Sequence, residues 1–379
     1  MAQTKRKKGK AKGKGKGSTA KKSPASTEAP SPENGTAVDA LLDQARSAGD
    51  PFLAVTLYEK VLQSRPDDTT VMGEAADLML HAGETEAAKE VLARSILVGP
   101  EEGPDKYLYM AQLHEGRESL GYYEKGLELL QKQLSNAPDG AEGGEVALKQ
   151  RLCMAHCSVA ELFLTDLCYE EDAESRCQDA LDRSMLYDYG GPEPVHAVAN
   201  LRLSQSKPEE AAQSAQEAFE RLLLCEPPPD HEFRVSLAKI LMETSAVKPE
   251  CSDMALQVLS GLMQEDDENV EVWYIMAIAF SGLQPPDYES ARAHLDTAAE
   301  MLSKIRIAQE QMGEEFAFED QVQLVEEQLE VISRATAESQ DAKGKDADEE
   351  AVSLMPDVTP DVTPDVPSVP EEAAEMDCV

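Results

Sequence analysis

Three observations predict an all-α fold of stacked helical hairpins. The prolines Pro66 and Pro100, each closing a helical stretch, stand 34 residues apart. Ala54, Tyr58 and Val61 precede Ala88, Leu92 and Ser95 by the same 34 residues, so one small–large–small pattern recurs in register. Apolar residues recur three and four apart along most of the chain while aromatics make up only 5%, which suits helices crossing at small side chains rather than packed sheets.

The clearest stretch is 69–102. Met72, Ala75, Ala76 and Met79 mark one helix, His81-Ala82-Gly83 a turn, Ala88, Leu92 and Ser95 a second helix, and Pro100 its close. A 34-residue period with small residues at the helix crossing and a closing proline is the tetratricopeptide (TPR) signature. One hairpin of this kind leaves an apolar face uncovered and needs neighbours. The prediction is a right-handed superhelical TPR solenoid over 36–334, of about seven repeats and a C-terminal capping helix.

The elements follow in order. Residues 1–35 are Gly/Lys-rich and then Ser/Pro-rich, a basic tail expected to be disordered. Repeat one starts near Thr36, with Leu41, Leu42 and Ala45 facing inward, and Asp50-Pro51 opens its second helix. Repeat two is the stretch above. Repeat three starts at Pro104; Tyr109, Met110 and Leu113 line its first helix, and Leu120, Tyr123, Leu127 and Leu130 its second. The glycine-rich segment 139–144 is a candidate hinge between two blocks of repeats.

Repeat four has a long first helix, 145–167, and then Ala173, Cys177 and Ala180 before the break at Gly190-Gly191-Pro192. Repeat five carries Val198, Ala199 and Leu203, then Ala211, Ala215 and Ala218, and Pro227-Pro228-Pro229 stops it. Ala255, Leu259 and Leu262 mark repeat six. Trp273, Met276, Ala277 and Phe280, then Ala291, Leu295 and Ala298, mark repeat seven. A final amphipathic helix, 314–334, sets Phe318, Val322, Val325, Leu329 and Ile332 along one stripe. From 335 to 379 the composition is acidic and then proline-periodic, and disorder is expected there; Thr359 and Thr363 precede prolines within it.

Charge narrows the function. The net charge is −38, yet the first 22 residues hold ten Lys/Arg and no acid. The rest holds 25 basic against 73 acidic residues, a balance of −48. Such a body repels phosphate backbones and attracts basic partners, so direct nucleic-acid binding by the repeats is not expected. The basic run Lys5, Arg6, Lys7 and Lys8 is a nuclear-import candidate, of the kind an import receptor reads. Seven cysteines and the lack of an apolar leader point to a reduced interior, and no stretch approaches the length of a membrane span. Cytoplasm and nucleus are the expected compartments.

No catalytic constellation is present, so an enzyme is not expected, and no cofactor. The nearest approach to a metal site, Cys153-x-x-His156-Cys157, lacks a second ligand pair, and its residues are expected in the core. Function must then be binding. In a TPR array the first helix of each repeat lines the concave groove, and register selects Asp39, Asp43, Asp77, Tyr107, His114, Glu115, Glu161, Glu193, His196, Asn200, Glu232, Glu243, Glu271 and Tyr274 as groove residues. Recurring carboxylates with aromatics between them suit an extended Lys/Arg-rich segment. The acidic tails that TPR co-chaperones hold would need Lys and Asn at the fifth and ninth positions of the first helix, where this chain has Asp39 and Asp43, then Gly73 and Asp77. The rival reading is a scaffold subunit bridging two proteins through apolar repeat surfaces.

The stretches LYEKVLQSRPDD (57–68), EAADLMLHAGETEAAKEVLARSILVGPEE (74–102) and VWYIMAIAFSGL (272–283), with the basic start and acidic end, resemble the fungal dedicated assembly chaperones of large-subunit ribosomal protein number four. The resemblance covers the whole chain. It implies a chaperone role in ribosome biogenesis. The client would be that ribosomal protein, held by its Lys/Arg-rich internal loop, kept soluble and released into the nuclear pre-60S particle.

Overall fold

The structure is a computed structural model that describes residues 32–136 and 142–353, with side chains over 36–136 and 144–338. The described residues form fifteen α-helices and no strand. None of these helices is long and apolar enough to cross a membrane. The chain divides into two compact units, Met1–His114 and Glu115–Val379.

The first unit contains α1 (Pro32–Ser47), α2 (Pro51–Ser64), α3 (Thr69–His81), α4 (Thr85–Val98) and α5 (Asp105–Gln112), each packed on the next. The Asp50 carboxylate accepts from the Phe52 N–H at 3.0 Å and caps α2, where Pro51 occupies the first turn. Asp68 caps α3 in the same way through the Val71 N–H, 3.2 Å. Gly83, at φ +77°, turns the chain out of α3 in a conformation that side chains with a Cβ avoid. Leu42, Ala45, Val61, Met72, Ala75, Met79 and Ala88 interlock in one core, as the spacing predicts. Helix α1 begins at Pro32, inside the stretch expected to be disordered, because Pro suits a first helical turn and the apolar stripe begins soon after.

The second unit contains α6 (Gly116–Ser135), α7 (Glu142–Leu164), α8 (Ala173–Leu186), α9 (Glu193–Ser204), α10 (Pro208–Leu222), α11 (His231–Thr244), α12 (Glu250–Glu265), α13 (Val270–Ser281), α14 (Tyr288–Met312) and α15 (Glu319–Ser353). Each packs on its successor, and α7, α9, α11 and α13 also touch one another in turn. The first helices of four hairpins thus stand side by side as one wall, the arrangement a TPR stack requires. Ala211, Ala215, Ala255, Ala291 and Ala298 are fully buried at the crossings, and Leu259 and Leu295 fill the spaces beside them.

Several boundaries differ from expectation. In the candidate hinge, residues 139–141 lie outside the described residues and 142–144 already belong to α7. The chain divides into its two units between α5 and α6, inside the expected third hairpin. The last helix starts at Glu319, five residues later than predicted, and runs to Ser353. Helix over 335–353 therefore replaces the expected disorder: this stretch has five alanines and no proline, and it extends a helix already nucleated on α14. The run Lys5–Lys8 and the Thr359 and Thr363 sites lie outside the described residues.

Candidate functional site

In the second unit, α7, α9 and α11 enclose an open hollow of 330 Å³. Glu161 and Met154 reach it from α7, Glu193, His196 and Asn200 from α9, and Glu232, Phe233 and Ser236 from α11, with Asp230 at the edge. Helical spacing explains the set, since residues three, four and seven apart share a face. Five predicted groove residues, Glu161, Glu193, His196, Asn200 and Glu232, are thus brought together.

The loop before α9 is anchored so that Glu193 is aimed. Both Asp188 carboxylate oxygens accept from the Arg221 guanidinium at 2.9 Å, and the Gly191 carbonyl accepts from the same group at 2.9 Å. Gly190, at φ +87°, makes the reversal. Tyr189 then donates its hydroxyl to Glu193, and burial together with that bond pushes the phenol pKa up. The His196 ring bonds Ser236 Oγ at 3.0 Å and packs on Phe233 at 4.8 Å between ring centres. Burial holds its pKa down at about 4, so it adds no charge at neutral pH. Glu161, Glu193, Asp230 and Glu232 are therefore the charged lining of the hollow, and no Lys or Arg is among its lining residues.

The first unit has a hollow of 550 Å³ between α3, the end of α4 and α5. Glu74, Asp77, Glu102 and Asp105 line it with Tyr109 and Lys106. Tyr109 donates to Asp77 at 2.6 Å. Glu74 accepts two bonds from Arg46, 2.9 and 2.7 Å, and one from Tyr58, 3.0 Å, so its pKa lies below the usual carboxylate range. Lys106 is buried and donates to the Ser95 and Gly99 carbonyls, and burial lowers its pKa.

Other groove predictions are corrected. Tyr107 faces the core, 6% exposed, with its hydroxyl on the Pro100 carbonyl at 2.9 Å; the short α5 buries positions 106, 107, 110 and 111, which leaves Tyr109 to face outward. Asp39 pairs with Arg65 and Asp43 lies 4.0 Å from Arg46, and neither lines the hollow of its unit. Glu115 sits exposed at the start of α6, in a different unit from Tyr107, while His114 bonds the Met110 carbonyl at 2.8 Å. Glu243 is exposed near the end of α11 and lines none of the hollows described. Glu271 and Tyr274 meet Lys239, Gln321 and Leu324 in a smaller recess of 240 Å³, where Lys239 pairs with Glu271 at 2.8 Å.

The register missed Phe233, Met154 and Asp230 in the second unit and Glu74 and Glu102 in the first. Asp230 was legible as an N-cap, and it accepts from the Phe233 N–H at 2.8 Å. Cys153 and His156 are buried as expected, whereas Cys157 is half-buried and lines the hollow; among the described residues no group of three or more His, Cys, Asp or Glu could hold a metal ion.

A tetratricopeptide-repeat family model matches residues 45–113. A Schizosaccharomyces pombe protein described as a probable assembly chaperone of rpl4 is 31% identical over 196 residues, covering 50% of this chain and 55% of that protein. An Emericella nidulans protein with the same description is 28% identical over 256 residues, 62% of each chain. The chain thus spans less than two thirds of the length of either relative. A solved structure described as "Assembly Chaperone of RpL4 (Acl4) (Residues 1-338)" is 26% identical, with a TM-score of 0.58 over 64% of this chain and 95% of that one. The fold is that of a TPR protein.

Proposed function

We propose that this chain is a non-enzymatic chaperone that holds a Lys/Arg-rich extended segment of a newly made ribosomal protein, keeps it soluble and escorts it to nuclear assembly of the large subunit. The observation that carries the reading is the hollow on α7, α9 and α11, where four carboxylates converge and no Lys or Arg lines the space. An ammonium or guanidinium group entering there finds charge-assisted hydrogen bonds, an apolar wall in Met154 and an aromatic face in Phe233. The descriptions of the relatives, chaperones of rpl4, support ribosomal protein four as the client; the acidic hollow suits its basic internal loop as the segment bound. The run Lys5, Arg6, Lys7, Lys8 supplies the import signal, with an import receptor as second partner.

The test is titration of a Lys/Arg-rich peptide into the Glu161→Lys/Glu232→Lys variant. Hydrogen bonds to charged groups contribute roughly 1.5–3 kcal/mol each, so the affinity is expected to fall by at least about tenfold per carboxylate. An Asp39→Asn/Asp43→Asn variant is expected to bind as the parent does, because those acids already have arginine neighbours. Equal affinity in the parent and the charge-reversed variant removes the hollow as the site.

A further inference from the structure

Helix α7 carries a second set of side chains on the face turned away from the acidic hollow. His156, Val159 and Phe163 follow one another at three and four residues and form the floor of a separate 250 Å³ cleft between α6 and α8. His156 is 2% exposed, and its Nε2 meets no hydrogen-bond partner. A buried polar nitrogen left so costs about 1–3 kcal/mol, and native structures complete such atoms with a ligand or a water. The ring lies parallel to Tyr187, 6.1 Å between centres, so stacking fixes its orientation.

The surrounding charges favour an anion. Arg183 lies near enough to His156 to add to the lowering of its pKa, of which burial is the larger cause, so the ring is neutral with one N–H to give. Arg183 is exposed and takes part in no ion pair among the described residues. Arg176, two turns earlier on the same helix, lies over the Phe163 ring at 4.5 Å and is already engaged by Glu124 at 3.4 Å and Glu170 at 4.0 Å. The remaining acid of the cleft, Asp179, is exposed at its rim. The unengaged groups are thus one guanidinium and one imidazole nitrogen.

We propose that this cleft binds a carboxylate-sized oxyanion between Arg183 and His156, the guanidinium supplying charge and the neutral ring adopting the tautomer with its proton on Nε2, which donates to an anion oxygen. The oxyanion is an acidic side chain of a docked protein or a free inorganic anion, and the site stands apart from the basic-segment hollow.

The test uses the full chain and the imidazole nitrogen resonances of its six histidines, with His156 identified by the signal lost in His156→Phe. Sodium acetate, sodium sulfate and sodium chloride are titrated at equal ionic strength and neutral pH. Acetate or sulfate is expected to move the His156 signal saturably while chloride does not, and the bound anion to raise the His156 pKa by at least half a unit. Arg183→Glu, a change at an exposed position, is expected to weaken the response at least tenfold. A response to acetate alone marks a protein carboxylate as the ligand, and one stronger for sulfate marks an inorganic anion. No saturable shift, an equal shift with chloride, or an undiminished shift in Arg183→Glu overturns the proposal and leaves the nitrogen to a water.

Discussion

His156 is buried and His196 half-buried, and desolvation holds both at about 4, far below the ordinary histidine range. Between pH 6.5 and 4 the unfolded chain binds these two protons and the folded chain does not, so stability is complete above about 6.5 and is lost as the pH falls. Each group contributes up to about 3 kcal/mol across that window. Urea unfolding followed at several pH values is expected to show the loss, and the double variant His156→Phe/His196→Phe to flatten it; an unchanged pH slope in that variant places the loss on other groups. At this scale the sequence was legible where helical spacing alone decides, as for Glu161, Glu193 and Glu232. It misled at Tyr107 because an eight-residue helix has room for one buried face, and the register of the neighbouring repeats does not say which. It also could not reveal that Asp39 faces Arg65, twenty-six residues away in sequence.

At the scale of the elements, the hairpins meet at alanines with no spare volume. Ala291 is fully buried beside Leu295 in the core that joins α13, α14 and α15. Ala291→Leu forces the helices apart and is expected to cost about 1–3 kcal/mol, read as a lowered denaturation midpoint; a wild-type midpoint means the crossing is looser than described. The small–large–small pattern marks these crossings in the sequence, as at Ala88 and Leu92 and at Ala291 and Leu295. Helix ends were less legible, because a cap or a nucleated neighbour settles them. Val325 and Ile332 anchor α15 on α14, and the polar residues beyond continue the helix by propensity, which a search for apolar stripes passes over.

For the whole molecule, charge is the property that reaches furthest. A body of −48 whose hollow has carboxylates and no Lys or Arg among its lining residues would attract a basic segment from a distance, and ions shorten that reach to about 8 Å at physiological ionic strength. Binding of a Lys/Arg-rich peptide is therefore expected to weaken severalfold between 50 and 300 mM salt, roughly. A salt-independent affinity would indicate an apolar interface and favour a scaffold. The repeat period announced the stacked hairpins but not where the chain divides, because periodicity counts hairpins and does not say after which helix one unit ends. In both units, nearly all packing joins a helix to its immediate successor or to the next but one. Such an order suits vectorial folding: each hairpin leaving the ribosomal exit has the partner it needs already behind it, so the nascent N-terminal unit can mature while the C-terminal helices are still being translated.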